Sequence, residues 1–539
     1  MDPDPVALAR QPANYMSAVA RRNIDAPSAA VIAEETAASE KQLEEHRKRR
    51  ITTTHFDWQL DLGPCEGLRR DLARVAGMIF RTLWHLVTFT LYMEGMFILL
   101  RLIERVRRRR EKSGAAAAPP MRGVDGPHLD AWFGPRVDRT LAPPLRTLAP
   151  PLPGGMKNAM AYKALGPFEV SVASLGGANW TRELLGYSHQ SVEERELLVF
   201  EMLDVAYARG VNLFDLSECY PAKDNDGRAE TLFGRWLRER EIARGSVVIS
   251  TKVVGPGGDK VLPHRYDALG TPPGDRPSFA QPSKQQILDA CEASLKRLGV
   301  DRIDLFEIHW PARYVPKFGE SGARFNPDLA VACPSFDEQL DAIEALLEAG
   351  KIAAWGVSNE TTFGLTTFLE RAKARNMPGP ASIQNDYSLC DRRFETELAE
   401  ACHHGDVGLL VFGAMCGGTL SGKYNRGRMP RDEARHREMP GYQARYTCAA
   451  TLRAAEEYED LAAAHGLSPA HLALAWCYSR SFVASTILGA RHVAQLEDQL
   501  DALAAAAKVT PALARDVDRV HHCCPNPNYS DTHGQYYAT

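Results

Sequence analysis

No charge of either sign dominates this sequence: 64 Lys and Arg stand against 68 Asp and Glu, a net of −4. Without the basic excess that a phosphate backbone demands, a nucleic-acid binder is not indicated. The 11 cysteines are scattered, with no C-x-x-C pair and no regular spacing. They outline neither a zinc site nor a disulfide framework, and they fit a reducing compartment. Cys523 and Cys524 are neighbours and read as two reduced thiols near a flexible tail. The first 20 residues lack the apolar core of a secretory signal, so a secreted product is not expected. What remains is a chain of 539 residues, 45% hydrophobic, which is ordinary for globular protein and long enough for a large domain with an extension.

The first 155 residues differ in texture from the rest. Residues 1–50 are rich in Ala, Glu and Arg and end in the charged run EEHRKRR (44–50), which reads as a solvated or helical segment. Residues 113–155 carry the near-duplicate TLAPPL (140–145 and 147–152), whose prolines favour an extended linker. Between them lies MIFRTLWHLVTFTLYMEGMFILLRL (78–102), followed by a cluster of arginines at 107–110. The stretch has the length of a membrane span. Arg81, His85 and Glu94 interrupt it, and a central charge costs roughly 2.5–3.5 kcal/mol on insertion. Membrane anchor, interfacial helix, part of an organelle-targeting leader and poorly ordered extension are all open readings. The expected setting is the cytoplasmic side of a membrane or an organelle, with membrane association through 78–102 an open alternative.

From Met156 to about residue 520 the pattern alternates. Strand-like runs are VSVASL (170–175), NLFDL (212–216), SVVISTK (246–252), IDLFEIH (303–309), AAWGVS (353–358), ASIQND (381–386), VGLLVFG (407–413) and ASTILGA (484–490). Amphipathic helical stretches fall between them, at 191–210, 283–299, 335–350, 361–375, 394–405 and 451–466. Ser283, Ser335 and Thr361 are candidate N-caps, and Gly210, Gly299, Gly350, Gly405 and Gly466 candidate C-terminal glycines. Eight strands alternating with helices predict an α/β fold, a (β/α)₈ TIM barrel over 156–520 with a tail at 521–539. An open doubly wound sheet is the alternative. It would normally show G-x-G-x-x-G after its first strand, and none follows 170–175.

A barrel's active site lies at the C-terminal ends of its strands. Those ends carry Asp215 and, just beyond it, Tyr220; then Lys252 and His309; then Ser358-Asn359, Gln384-Asn385 and Phe412. Each alone has a dull explanation, but four titratable groups on three consecutive strands converge. A phenol is a poor acid at neutral pH, and a nearby ammonium makes it a better one. Lys252 supplies that charge, Asp215 holds Lys252, and His309 donates to a carbonyl oxygen. Tyr220 then delivers a proton as hydride reaches the carbon. No metal-ligand set accompanies these groups.

The motifs GVNLFDLSECY (210–220), ISTKV (249–253), SLKRLGVDRIDLFEIHWP (294–311), GKIAAWGVSN (350–359), SIQNDYSL (382–389), GGTLSGKY (417–424) and ILGARHVAQLEDQL (487–500) resemble, in this order, those of the aldo-keto reductases. The similarity spans about 156–520. GVSNETTFG (356–364) and FVASTILGA (482–490) point to the long-chain, bacterial Tas-like branch. The resemblance implies NADPH as cofactor, a small aldehyde or ketone as substrate, and Asp215, Tyr220, Lys252 and His309 as the catalytic tetrad. It implies that Ser358, Asn359 and Gln384 hold the nicotinamide carboxamide and that Phe412, where Tyr is usual, stacks on the ring. Gly413, Met415 and Gly417 would follow the pyrophosphate, with the Arg-rich segment 424–449 as a clamp. Gly489, Ala490, Arg491, Gln495, Asp498 and Gln499 would take the adenosine end, with Arg491 the one formal charge for a 2′-phosphate. In SLGGANW (174–180), Gly176 and Gly177 would allow close backbone approach, and Trp180 and Trp310 would line the substrate mouth or pack the barrel rim. Some relatives modulate membrane channels while still binding cofactor, so a cofactor-binding regulatory subunit of a membrane complex is the alternative function.

Overall fold

The computed structural model describes residues 160–180, 191–222, 224–317, 325–430, 434–438 and 443–529. The expected extension 1–155, with its candidate span 78–102 and linker 113–155, lies outside the described residues. No helix among the described residues is long and apolar enough to cross a membrane.

The chain first forms a short antiparallel hairpin, β1 (Tyr162–Leu165) and β2 (Phe168–Ser171). Eight strands follow: β3 (Ala173–Gly176), β4 (Leu213–Asp215), β5 (Val248–Val253), β6 (Ile303–Ile308), β7 (Ile352–Ser358), β8 (Ser382–Asp386), β9 (Gly408–Phe412) and β10 (Val483–Leu488). They pair in parallel, each with the next, and β10 returns to β3, closing the predicted barrel. The strand residues are buried on both faces, VISTKV of β5 and IDLFEI of β6 throughout, as a parallel sheet sheathed by helices requires.

Those helices are α1 (Val192–Ala208), α2 (Arg228–Glu239), α3 (Leu262–Leu269), α4 (Lys284–Leu298), α5 (Phe336–Glu348) and α6 (Thr362–Ala374). Further on come α7 (Glu397–Gly405), the short α8 (Arg435–Glu438), α9 (Ala449–Ala464), α10 (Pro469–Tyr478), α11 (Val493–Asp501) and α12 (Pro511–Cys523). The expected caps operate: Ser283, Ser335 and Thr361 each accept the backbone N–H of the third helical residue. Ser191 adds a reciprocal capping box with Glu194. Gly405 is the last residue of its helix and not the left-handed cap; Asp406 takes that position, because an aspartate tolerates that conformation.

Two differences matter for the site. The run 170–175 is not one strand: its first residues close the hairpin and the rest begin the barrel. Leu165, Phe168 and Val170 of the hairpin form a cluster with Leu213, Val248, Leu305 and Leu410, the strand residues at the entry end of the barrel. That plug leaves the opposite end for chemistry. At the other terminus, α12 runs through residue 520 to Cys523, and beyond it Asn528 is buried and accepts a hydrogen bond from Thr451 at 2.9 Å.

Candidate active site

At the C-terminal rim of the barrel opens a cleft of about 1070 Å³, slightly beyond the roughly 300–1,000 Å³ common for small-molecule sites. Its floor is made by the four residues that sequence reasoning had grouped. Lys252 on β5 is fully buried, and its Nζ donates to Asp215 Oδ1 at 2.7 Å and to the Leu216 carbonyl at 2.7 Å. The ammonium stands 4.8 Å from the centre of the Tyr220 ring. Tyr220 Oη lies 3.5 Å from His309 Nε2. His309 Nδ1 is 3.0 Å from Ser217 Oγ, so a serine that the motif reading passed over orients the imidazole. Burial, with Lys252 nearby, holds His309 well below its usual range; it is a neutral ring at physiological pH.

The loop from Asp215 to Tyr220 has a second anchor. Glu218 is fully buried and accepts the Val254 N–H at 2.8 Å, Arg265 Nη2 at 2.6 Å and Arg265 Nε at 2.8 Å. Its carbonyl is 3.0 Å from His264 Nε2. These contacts tie the tyrosine-bearing loop to β5 and α3. A glutamate one residue before a cysteine carried no signal of this in sequence, because its partner lies on another element.

Ser358, Asn359 and Gln384 meet at the ends of β7 and β8. Ser358 Oγ donates to the Gln384 carbonyl at 2.8 Å, and Asn359 Nδ2 donates to the His309 carbonyl at 2.9 Å. Gln384 Nε2 bridges Asp215 Oδ1 at 2.8 Å and Glu307 Oε2 at 3.1 Å. The amide donors therefore brace the floor itself. Phe412, Gly413, Met415 and Gly417 line the cleft. Gly413 sits at φ +76°, and a Cβ there would stand 2.2 Å from Asp386 Oδ1 and 2.5 Å from Tyr446 Oη. The Arg445–Asp386 ion pair at 3.0 Å and the Tyr446–Asp386 hydrogen bond at 2.7 Å pin this stretch of 424–449 over the barrel end.

Toward the far end, Gly489, Arg491, Gln495, Asp498 and Gln499 line the cleft. Lys423, Arg435 and Arg445 also face it, adding positive charge that the motif reading had assigned only to the region. Arg491 is 4% exposed and paired with Glu438 of α8, so its guanidinium is engaged by a carboxylate instead of standing open. Gln499 Nε2 donates to the Gly489 carbonyl at 3.1 Å, while its buried Oε1 has no hydrogen-bond partner.

Three expected site residues are not among those lining the cleft. Trp180 is 5% exposed and packs in the core. Gly177 faces Leu216 and Ala229, which a Cβ would approach to 2.9 and 3.2 Å, so it serves helix packing. Ala490 is likewise buried in the core. Trp310 does line the cleft, its indole N–H donating to the Pro256 carbonyl at 3.0 Å.

Residues 175–519 match the sequence profile of the aldo/keto reductase family. The chain is 36% identical over 347 residues to protein tas of Escherichia coli (strain K12), a match covering 64% of this chain and 93% of that protein. It is 34% identical over 248 residues to an aldo-keto reductase of Babesia bovis, covering 44% of this chain and 87% of that one. It is 28% identical over 367 residues to a probable voltage-gated potassium channel subunit beta of Arabidopsis thaliana, covering 67% of this chain and 96% of that one.

Proposed function

This chain belongs to the aldo/keto reductase family of oxidoreductases, and on that premise we propose that it reduces an aldehyde or ketone to an alcohol with NADPH, Tyr220 giving the proton. The observation that carries the proposal is the floor of the cleft. A buried ammonium held by Asp215 lies under the Tyr220 ring, and the phenol and a neutral imidazole point at a common space.

The residues fit a dinucleotide. At the adenosine end, the partnerless Gln499 Oε1 is an acceptor of the kind an adenine amino group satisfies. Along the middle, Gly413 and Gly417 keep the backbone low, and Lys423 and Arg435 bring positive charge for phosphates. At the floor, the donors of Asn359 and Gln384 are committed within the protein, so their amide oxygens would accept from a carboxamide. The Phe412 ring would bear on the nicotinamide face. Bound there, NADPH supplies the hydride that reduces the carbonyl carbon.

The chain's own part is acid catalysis. His309, neutral because burial disfavours its cation, offers a ring nitrogen to the carbonyl oxygen beside Tyr220. Tyr220 Oη donates its proton to that oxygen as negative charge develops. Lys252 stabilises the phenolate left behind, and Asp215 keeps Lys252 aimed. Trp310 and the loops after β5 and β6 would bound the substrate space.

The test is turnover. Purified protein with a panel of reactive aldehydes should consume NADPH, followed by its absorbance. Tyr220→Phe should bind NADPH as wild type does and lose about 10²–10⁴-fold in turnover, the range of general acid catalysis. Wild-type turnover in that variant would remove Tyr220 from the role. The similarity to proteins described as potassium channel beta subunits supports a second reading, a cofactor-binding regulatory subunit. Tight NADPH binding without turnover of any carbonyl would favour it.

A further inference from the structure

One layer below Asp215 lies a second carboxylate that the chemistry above does not use. Glu307 on β6 is fully buried. Ser382 Oγ donates to its Oε1 at 2.8 Å, and Ser250 Oγ and Gln384 Nε2 donate to its Oε2, both at 3.1 Å. The same Gln384 nitrogen donates to Asp215 Oδ1, the oxygen that also takes the Lys252 ammonium. One amide thus joins two carboxylates, and one of these holds the cation beneath Tyr220. The neighbouring strand makes room for the arrangement. A Cβ on Gly356 of β7 would stand 2.0 Å from Ser382 Oγ and 3.1 Å from Glu307 Oε1.

We propose that Glu307 is a positioning residue for the carbonyl reduction, fixing Gln384 and Asp215 and, when ionised, adding a negative charge under Lys252 that keeps Tyr220 in its phenol form. This rests on the reading of Tyr220 as the acid. A hydrophobic side chain would fill the same space without three donors converging on it. A carboxylate in a closed barrel interior is costly unless it is satisfied, and here every donor comes from the strands that carry the site.

The groups facing Glu307 are Asp215 from β4, Ser250 and Lys252 from β5, Gly356 from β7, and Ser382 and Gln384 from β8; His309 follows two residues on, just past the end of β6. Burial pushes the Glu307 carboxyl up to about 7, with Lys252 pulling it down and Asp215 pushing it up. Below that pH the carboxyl is neutral, Lys252 and Asp215 cancel, and the phenol is at its most acidic. Above it, the added charge opposes phenolate formation. Reduction, which needs the phenol, then extends to higher pH, while the reverse oxidation, which needs the phenolate, is held back.

The experiment is Glu307→Gln with two readouts: the pH profile of kcat for carbonyl reduction, and the tyrosinate absorbance of the unliganded protein after subtraction of the matching Tyr220→Phe variant. Both the basic limb of the profile and the Tyr220 titration should move down by about one pH unit, a tenfold change in phenol acidity. Glu307→Asp, which retains the charge, should keep the wild-type limb. Ser250→Ala with Ser382→Ala removes two donors from the carboxylate and should shift both readouts the same way by a smaller step, which keeps the test open should Glu307→Gln not fold. A uniform fall in kcat with both titrations unmoved would overturn the proposal. If wild type reduces no carbonyl at any pH, the functional reading fails instead, and the absorbance titration still decides the role of Glu307.

Discussion

Glu218→Gln should be among the more damaging single changes in this barrel although it alters one atom. Glu218 and Arg265 are both fully buried and share two hydrogen bonds, at 2.6 and 2.8 Å. The amide keeps the shape but leaves the guanidinium without its counter-charge. Breaking a buried pair from one side costs about 3–5 kcal/mol, against a total stability of roughly 5–15 kcal/mol for a domain. With about 2.1 cal/mol/K of unfolding entropy per residue, a barrel of about 365 residues loses roughly 1.3 °C per kcal/mol, so Tm should fall by about 5 °C. Replacing both partners with apolar residues, Glu218→Leu with Arg265→Met, should return stability to within about 2 kcal/mol of wild type, because no charge is stranded. Turnover should not return with it. The pair holds the loop that carries Tyr220, and a displacement of about 1 Å costs on the order of 10²-fold in rate. Urea and thermal unfolding of the single and double variants, beside NADPH-dependent turnover, measure both effects. A single variant within about 1 kcal/mol of wild type, or a double variant no better than the single, would refute the reasoning.

Three further outcomes are expected. Glu307 is neutral-favoured in the folded protein, raised from 4.5 to about 7, so its contribution to stability is complete below pH 4.5 and lost as pH rises through about 7. Relative to Glu307→Gln, wild type should therefore lose about 3 kcal/mol across that window; a pH-independent difference in unfolding free energy would contradict this. His309 is shifted the other way: its contribution is present above the usual histidine value and is lost as pH falls below it, so His309→Gln should flatten the acid limb of the stability curve while abolishing most turnover. Glu438 is paired with Arg491, and on the proposed NADPH reading it would compete with the 2′-phosphate for that guanidinium. By calorimetric titration, Glu438→Gln should tighten NADPH by several-fold and leave NADH unchanged, and Arg491→Ala should weaken NADPH alone; equal effects on both cofactors would place the phosphate elsewhere.

Much of the site was legible because it lies in register with the strands. Asp215, Lys252 and His309 each lie at or next to the end of a run whose length and β-branched or aromatic content mark a strand, and closure of eight such strands brings their ends together. The clamp segment 424–449 was legible as a region from its arginines, but not in detail: Arg445 reaches Asp386, 59 residues away. The 170–175 run was misread because two four-residue strands separated by Val172 look like one. Trp180 was left open between mouth and rim packing because an indole at a barrel rim serves either equally well; in the structure it is buried in the core cluster. Glu307 had a visible signal, a carboxylate that shares a largely apolar strand with Asp304, yet its partners Ser250 and Ser382 lie 57 and 75 residues away.

The sequence by itself determined the barrel and the identity of the four groups at the floor of its cleft, since periodicity, caps and strand-end chemistry are local properties. Tertiary structure alone decided which polar side chains satisfy one another. It committed the donors of Gln384 and Asn359 to the floor, engaged Arg491 with Glu438, and buried Glu218 against Arg265 and Glu307 among hydroxyls. Such pairings follow from the desolvation cost of polar groups in a closed interior, and that cost falls on residues that only folding makes neighbours.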